Sequence, residues 1–243
     1  TSGAGNTAVG YQSLDAEDAG NYSTAIGYQA LSAQNVDGTV GNVAVGEKAM
    51  SSVTTGIRNV AIGREALVGG SAAATDNVAI GYHALDSTGS AAVSKCVAIG
   101  YNAMDNANNT DVDGTVAIGY DALDALTSGA GNVAVGYGAL KLITTGSGNT
   151  ALGYGALDAA NGAESHNIAI GRDALGNADE DSTSSNIAIG NYALDGIGGS
   201  AQTGTIAIGH GSLGGLSSGG GNVAIGYLAA DAVTTGEHNT VIG

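Results

Sequence analysis

The residues in this 243-residue chain that could perform chemistry are few and dispersed. The four histidines, His83, His166, His210 and His238, are scattered rather than grouped, which speaks against a zinc cluster. The single cysteine, Cys96, excludes an internal disulfide framework and reads as a small buried filler rather than a reactive thiol. Asp and Glu lie mostly in variable polar stretches, with no acidic pair recurring in register, so nothing indicates an acid–base couple. The run DNANNTDVDG (105–114) is acidic enough to hold calcium loosely. It lacks the twelve-residue loop spacing, and no GGxGxD nonapeptide is present, so a solvated loop is the better reading. GAGN and GGGN resemble phosphate loops only superficially, having no Gly-Lys-Ser/Thr and no following helix. The expectation is a protein that is not an enzyme and uses neither a cofactor nor a metal.

Two polar residue types do recur at fixed spacing. The first is asparagine: Asn6, Asn42, Asn59, Asn77, Asn132, Asn149, Asn167, Asn186, Asn222 and Asn239. Stacked at one position, their amides can hydrogen-bond from rung to rung, as amide ladders do in cross-β structure. Ser23, Cys96, Thr115 and Thr205 replace Asn at that position, so the ladder is helpful rather than obligatory. The second is tyrosine: Tyr11, Tyr28, Tyr82, Tyr101, Tyr120, Tyr137, Tyr154 and Tyr227. Glu47, Arg64, Arg172, Asn191 and His210 stand there in other copies, so the position is at least partly exposed. A Tyr stripe either stacks on sugar rings, as a ligand-contact surface, or covers the flank of the core and leaves its hydroxyls wet.

What positions these residues is a repeat. The motif Asn-(Val/Thr/Ile)-Ala-(Ile/Val)-Gly, usually followed by Tyr-x-Ala-Leu, returns fourteen times, at steps of 17 to 19 residues between anchor glycines from Gly10 to Gly243. A unit this short cannot bury its own apolar face and must stack on its neighbours. A longer period is superimposed: SVTTGIRNVAIG (52–63), LITTGSGNTALG (142–153) and AVTTGEHNTVIG (232–243) lie 90 residues, or five units, apart. The chain therefore reads as one array spanning 1–243. Val-Ala-Ile before the glycine predicts a short strand. The glycine permits a bend. Ala-Leu is a second apolar run, and stretches such as DSTGSAAVSK (86–95) and GNADEDSTSS (176–185) predict loops that return to the next strand. The expected fold is an all-β parallel β-roll or β-solenoid of about fourteen coils, one per repeat.

Alternation in a strand puts Val60 and Ile62 on one face and Ala61 on the other. The Val/Ile face reads as the interior. The Ala position holds Ala in every unit except at Val241, without drifting to polar residues, so it too reads as covered. A second copy of the chain, most simply in a homotrimer, is the preferred cover. The alternative is a flattened single-chain solenoid with the Ala columns inside.

Composition narrows the class. Gly is 43 of 243 residues and Pro is absent, which excludes collagen; the 43% hydrophobic content is too high for a disordered Gly/Ser tract. A formal charge of −16 argues against nucleic acid and against anionic membranes as partners. No apolar run approaches a membrane-spanning length, so membrane insertion is not expected. The opening TSGAGNTAVG matches TSGAGNVAVG (127–136), and the chain stops on an anchor glycine, so a segment of a longer fibre, or end-to-end stacking, is expected.

The units NVAIGYHAL (77–85), NIAIGRDAL (167–175) and NTAVGYQSL (6–14) resemble the YadA-like head repeats of trimeric autotransporter adhesins, and also the similar arrays of phage tail-fibre proteins. The resemblance covers essentially the whole chain. It implies a trimeric parallel β-roll, extracellular, on a virion or bacterial cell surface, that projects or forms an element binding a host glycan or protein receptor. The alternatives are a purely structural self-assembling filament or sheath and a single-chain ice- or glycan-binding solenoid. Ice binding asks for a regular Thr ladder, and Thr stands three before the anchor glycine only at Thr7, Thr24, Thr150 and Thr240. A β-helical glycan lyase would need a clustered acidic groove, which the sequence does not offer.

Overall fold

The computed structural model describes residues 3–69, 73–86, 92–107, 110–178, 183–196 and 202–243. Parts of the loops 86–95, 105–114 and 176–185 therefore lie outside the described residues. The chain forms two compact units, Thr1–Ile118 and Gly119–Gly243. Each is a parallel β-solenoid.

In the first unit the strands are β1 (Thr7–Val9), β2 (Gly20–Asn21), β3 (Thr24–Ile26), β4 (Gly38–Thr39), β5 (Val43–Val45), β6 (Val60–Ile62), β7 (Val78–Ile80), β8 (Val97–Ile99) and β9 (Val116–Ile118). The rungs β1-β3-β5-β6-β7-β8-β9 pair in parallel and in register, so that Ala61 faces Ala79 and Ala79 faces Ala98. β2 and β4 pair separately. The second unit contains β10 (Val133–Val135), β11 (Thr150–Leu152), β12 (Ile168–Ile170), β13 (Ile187–Ile189), β14 (Ile206–Ile208), β15 (Val223–Ile225) and β16 (Thr240–Ile242), again parallel and in register.

The anchor glycine ends each strand. Gly63 has φ of 134°, outside the reach of an L side chain, and a Cβ there would strike the carbonyl of Gly81 in the next coil. The chain then enters Tyr-x-Ala-Leu, which is a turn rather than a second strand. Its second and fourth residues are left-handed: φ is 55° at Glu65 and 53° at Leu67. The turn is a hydrogen-bonded ladder in its own right. The Glu65 N–H reaches back to the Glu47 carbonyl (2.9 Å), and the Leu67 N–H reaches forward to that of Ala84 (3.0 Å). A left-handed non-glycine residue costs roughly 1–2 kcal/mol. Inter-coil bonding and the burial of Leu67 offset it.

The placement of the two strand faces corrects the sequence expectation. Ala61 is fully buried inside the coil, while Ile62 is 40% exposed and Val60 half-buried. The same pattern holds in β7, β8, β12, β13 and β14, where the central Ala is buried and its neighbours are half-buried. The Val/Ile face is the outer face of the single chain and the Ala face its interior. The cause lies across the coil. Leu67, Leu85 and Met104 on the turn side fill the interior, together with Ala66, Ala84 and Ala103, and beside them the strand has room only for Ala. The Ala column needs no second chain to cover it.

Candidate functional site

Asparagine builds a buried ladder in each unit. Asn59 Oδ1 accepts the backbone N–H of Asn77 (3.0 Å) and its Nδ2 (3.1 Å). Asn59 Nδ2 donates to the Ala74 carbonyl (2.7 Å), pinning the loop of the next coil. Asn42, Asn77, Asn149, Asn167 and Asn186 repeat both roles. Asn132 and Asn222 donate to the Gly146 and Gly236 carbonyls and accept from Asn149 and Asn239. Asn6 donates to the Gly20 carbonyl and accepts from the Ser23 N–H. Where the column changes residue the bonding changes. Cys96 Sγ leans on the Val112 carbonyl (3.3 Å), and Thr205 Oγ1 has no partner. Burial pushes the Cys96 thiol up to about 11, which suppresses its thiolate at neutral pH.

The tyrosines form stacks. Tyr11 lies on Tyr28 with centroids 5.5 Å apart, Tyr82 on Tyr101 at 5.2 Å, and Tyr120, Tyr137 and Tyr154 follow one another at 5.0 and 5.1 Å. Tyr227 stacks on His210 at 5.4 Å. The Arg64 and Arg172 guanidinium groups lie over Tyr82 and Tyr154 at 5.5 Å. A sugar ring needs an open aromatic face, and within these stacks the faces are turned to one another. What the stripe offers water is ring edges and hydroxyls.

The outer sheet face is a uniform surface in each unit. Its two rows come from the first and third residue of every rung strand. In the first unit they contain only Val and Ile besides Thr7 and Thr24, and in the second only Val, Ile and Leu152 besides Thr150 and Thr240. No charge occurs in either row.

One cluster escaped the sequence reading. Asp86 and Asp105 both lie five residues after an anchor glycine, Gly81 and Gly100, so an acidic pair does recur in register. His83 sits between them, with Nδ1 3.7 Å from Asp86 Oδ2 and 3.9 Å from Asp105 Oδ1. Its Nε2 bonds Glu65 Oε2 at 2.8 Å. That bond is the main reason the Glu65 carboxyl is held below the ordinary range, while burial raises that of Asp86. The two aspartates are copies of one position in neighbouring coils, and His83 joins them from a different position, three residues before Asp86. The other three histidines take no part: His166 and His238 sit on backbone contacts to Ser147 and Gly220, and His210 belongs to the Tyr stripe.

No helix among the described residues is long and apolar enough to cross a membrane. No protein-family model matches the chain, and neither a curated protein nor a solved structure matches it.

Proposed function

We propose that this chain is a structural and adhesive segment of a homotrimeric fibre, displayed on a virion or bacterial cell surface and serving attachment to a host or surface. The observation that carries the reading is the outward Val/Ile face. Two uncharged rows, β-branched except at Leu152 and repeated on every rung, form a kind of surface that soluble chains rarely leave in water. A partner must match its repeat of about 4.8 Å along the stack. A second copy of the same chain does so by construction. Three copies turning this face inward around an axis leave the Tyr stacks and the polar loops on the outside. The net charge of −16 keeps such fibres apart from one another. Attachment to a glycan or protein receptor falls to the loops and to the edges and hydroxyls of the Tyr stacks. This reading is supported by the repeat's resemblance to adhesin heads and tail fibres.

The test is solution mass by light scattering at several concentrations, on the parent chain and on Ile62→Lys and Ile99→Lys. A fixed mass near 70 kDa, three chains of 23.3 kDa, is expected. Each Lys variant should fall to monomer while keeping its β-rich circular dichroism, because the altered side chain points away from the coil interior. A parent chain that is monomeric at every concentration refutes the trimer, and it moves a single-chain ice- or glycan-binding solenoid to the front. A trimer indifferent to both substitutions refutes the Val/Ile face as its interface.

A further inference from the structure

The cluster around His83 has the make-up of a metal site. We propose that His83 Nδ1, Asp86 and Asp105 bind one first-row divalent transition metal ion of the zinc class, clamping two successive coils together. His83 and Asp86 come from the coil of Gly81 and Asp105 from that of Gly100. Their three ligand atoms all lie within 4.8 Å of one another. Ligands at zinc bond lengths of about 2.0–2.1 Å in a tetrahedron stand about 3.3 Å apart. The observed 3.7 and 3.9 Å separations therefore close by small side-chain rotations.

The imidazole is already prepared for this role. With Nε2 donating to Glu65 Oε2, 2.8 Å away, Nδ1 is the ring nitrogen that faces the two aspartates and can offer its lone pair to a metal. This carboxylate–histidine arrangement is the one that orients metal-ligating imidazoles. The Tyr82 ring, stacked on His83 with centroids 4.1 Å apart and planes 11° from parallel, fixes the ring orientation. The nearby cations Lys48 and Arg64 pair with Glu65. One imidazole and two carboxylates suit zinc and its neighbours, whereas calcium and magnesium favour all-oxygen shells. All three residues are half-buried, so water can complete the shell.

The test is calorimetric titration of the intact, tag-free, chelator-treated chain with zinc chloride, alongside His83→Gln, Asp105→Asn, Glu65→Gln and Asp113→Asn. Cobalt(II) uptake is followed by its visible absorption. One equivalent per chain is expected. The His83 and Asp105 variants should lose at least about 100-fold in affinity, and the Glu65 variant about 10–100-fold, as for an outer-shell partner. Asp113→Asn is the control, because Asp113 Oδ1 is committed to the Ser94 N–H. Zinc should raise the Tm of the parent chain and leave that of His83→Gln unchanged, with circular dichroism confirming that each variant is folded. Absence of uptake by the parent chain overturns the proposal and leaves His83 as an ion-paired side chain. Uptake that survives the His83 and Asp105 substitutions, or that millimolar calcium displaces, overturns it equally.

Discussion

Asn59→Ala isolates what one rung of the amide ladder contributes. The substitution removes Nδ2 from the Ala74 carbonyl and Oδ1 from the Asn77 backbone N–H. Two other partners survive: Asn77 Nδ2 keeps the Val93 carbonyl, and Asn42 Oδ1 keeps the backbone N–H of residue 59. Two buried backbone groups thus lose a partner, at about 1–3 kcal/mol each. A water entering the small polar cavity recovers part of that, so a net loss of about 3 kcal/mol is expected. For a chain of this size that is a fall in Tm of about 6–12 °C. The control is Asn177→Ala, which also loses two bonds, to the Asp195 carbonyl and carboxylate, but on the exposed surface. It should cost no more than about 0.5 kcal/mol. Urea unfolding at fixed protein concentration gives both values, and hydrogen exchange reads the Asn77 amide directly. A loss under about 1 kcal/mol with Asn77 exchange unchanged would refute the reasoning, since the ladder would then be ornament on a stack held by its strands.

Thr205→Asn should stabilise the chain by about 1–2 kcal/mol in the same urea assay. The present Oγ1 is buried and unpartnered, whereas an amide there gives the Asn222 N–H an acceptor. Burial raises the carboxyls of Asp86, Asp124, Asp158 and Asp195. A raised folded-state value means stability that is full below the ordinary value and lost as pH rises through the folded one. Glu65 and Asp76 are lowered and act oppositely, losing stability only as pH falls through their folded values, below the ordinary 4.5 and 3.8. Tm should therefore rise as pH falls from neutral toward the ordinary carboxyl values of 3.8 to 4.5, and a monotonic fall on acidification would contradict this. Cys96 should ignore a thiol reagent at neutral pH until urea unfolds the chain, and stoichiometric labelling of the native protein would show its shielding to be incomplete.

The parallel stack was legible because its cause is periodic. The recurrence of Val60-Ala61-Ile62 and its copies at steps of 17 to 19 residues dictates which residues pair and which share a face. Alternation does not say which face is covered, and there the reading inverted. The deciding side chains, Leu67 and its counterparts, sit in left-handed conformations that residue preference disfavours, so they read as a run rather than as the turn that fills the coil. The tyrosine position was legible as exposed, but its ring-on-ring stacking depends on the closeness of successive turns. The His83 cluster was missed for a related reason. Asp86 and Asp105 are copies of one position, but His83 occupies another, and only the folded register brings residue 83 beside residue 105.

The in-register pairing of like on like makes length a separable property of this protein. Within each unit successive rungs present like edges, Ala61 against Ala79 and Ala79 against Ala98, with Val241 opposite Ala224 the exception. Deleting or duplicating a whole coil rejoins surfaces that already fit, and changes the stack by a fixed increment of about 4.8 Å. One residue more or less within a strand would instead turn over the side chains that follow it in that strand. Evolution can thus lengthen or shorten such a chain in whole steps without redesigning a contact, and the 90-residue block is such a step taken five coils at a time.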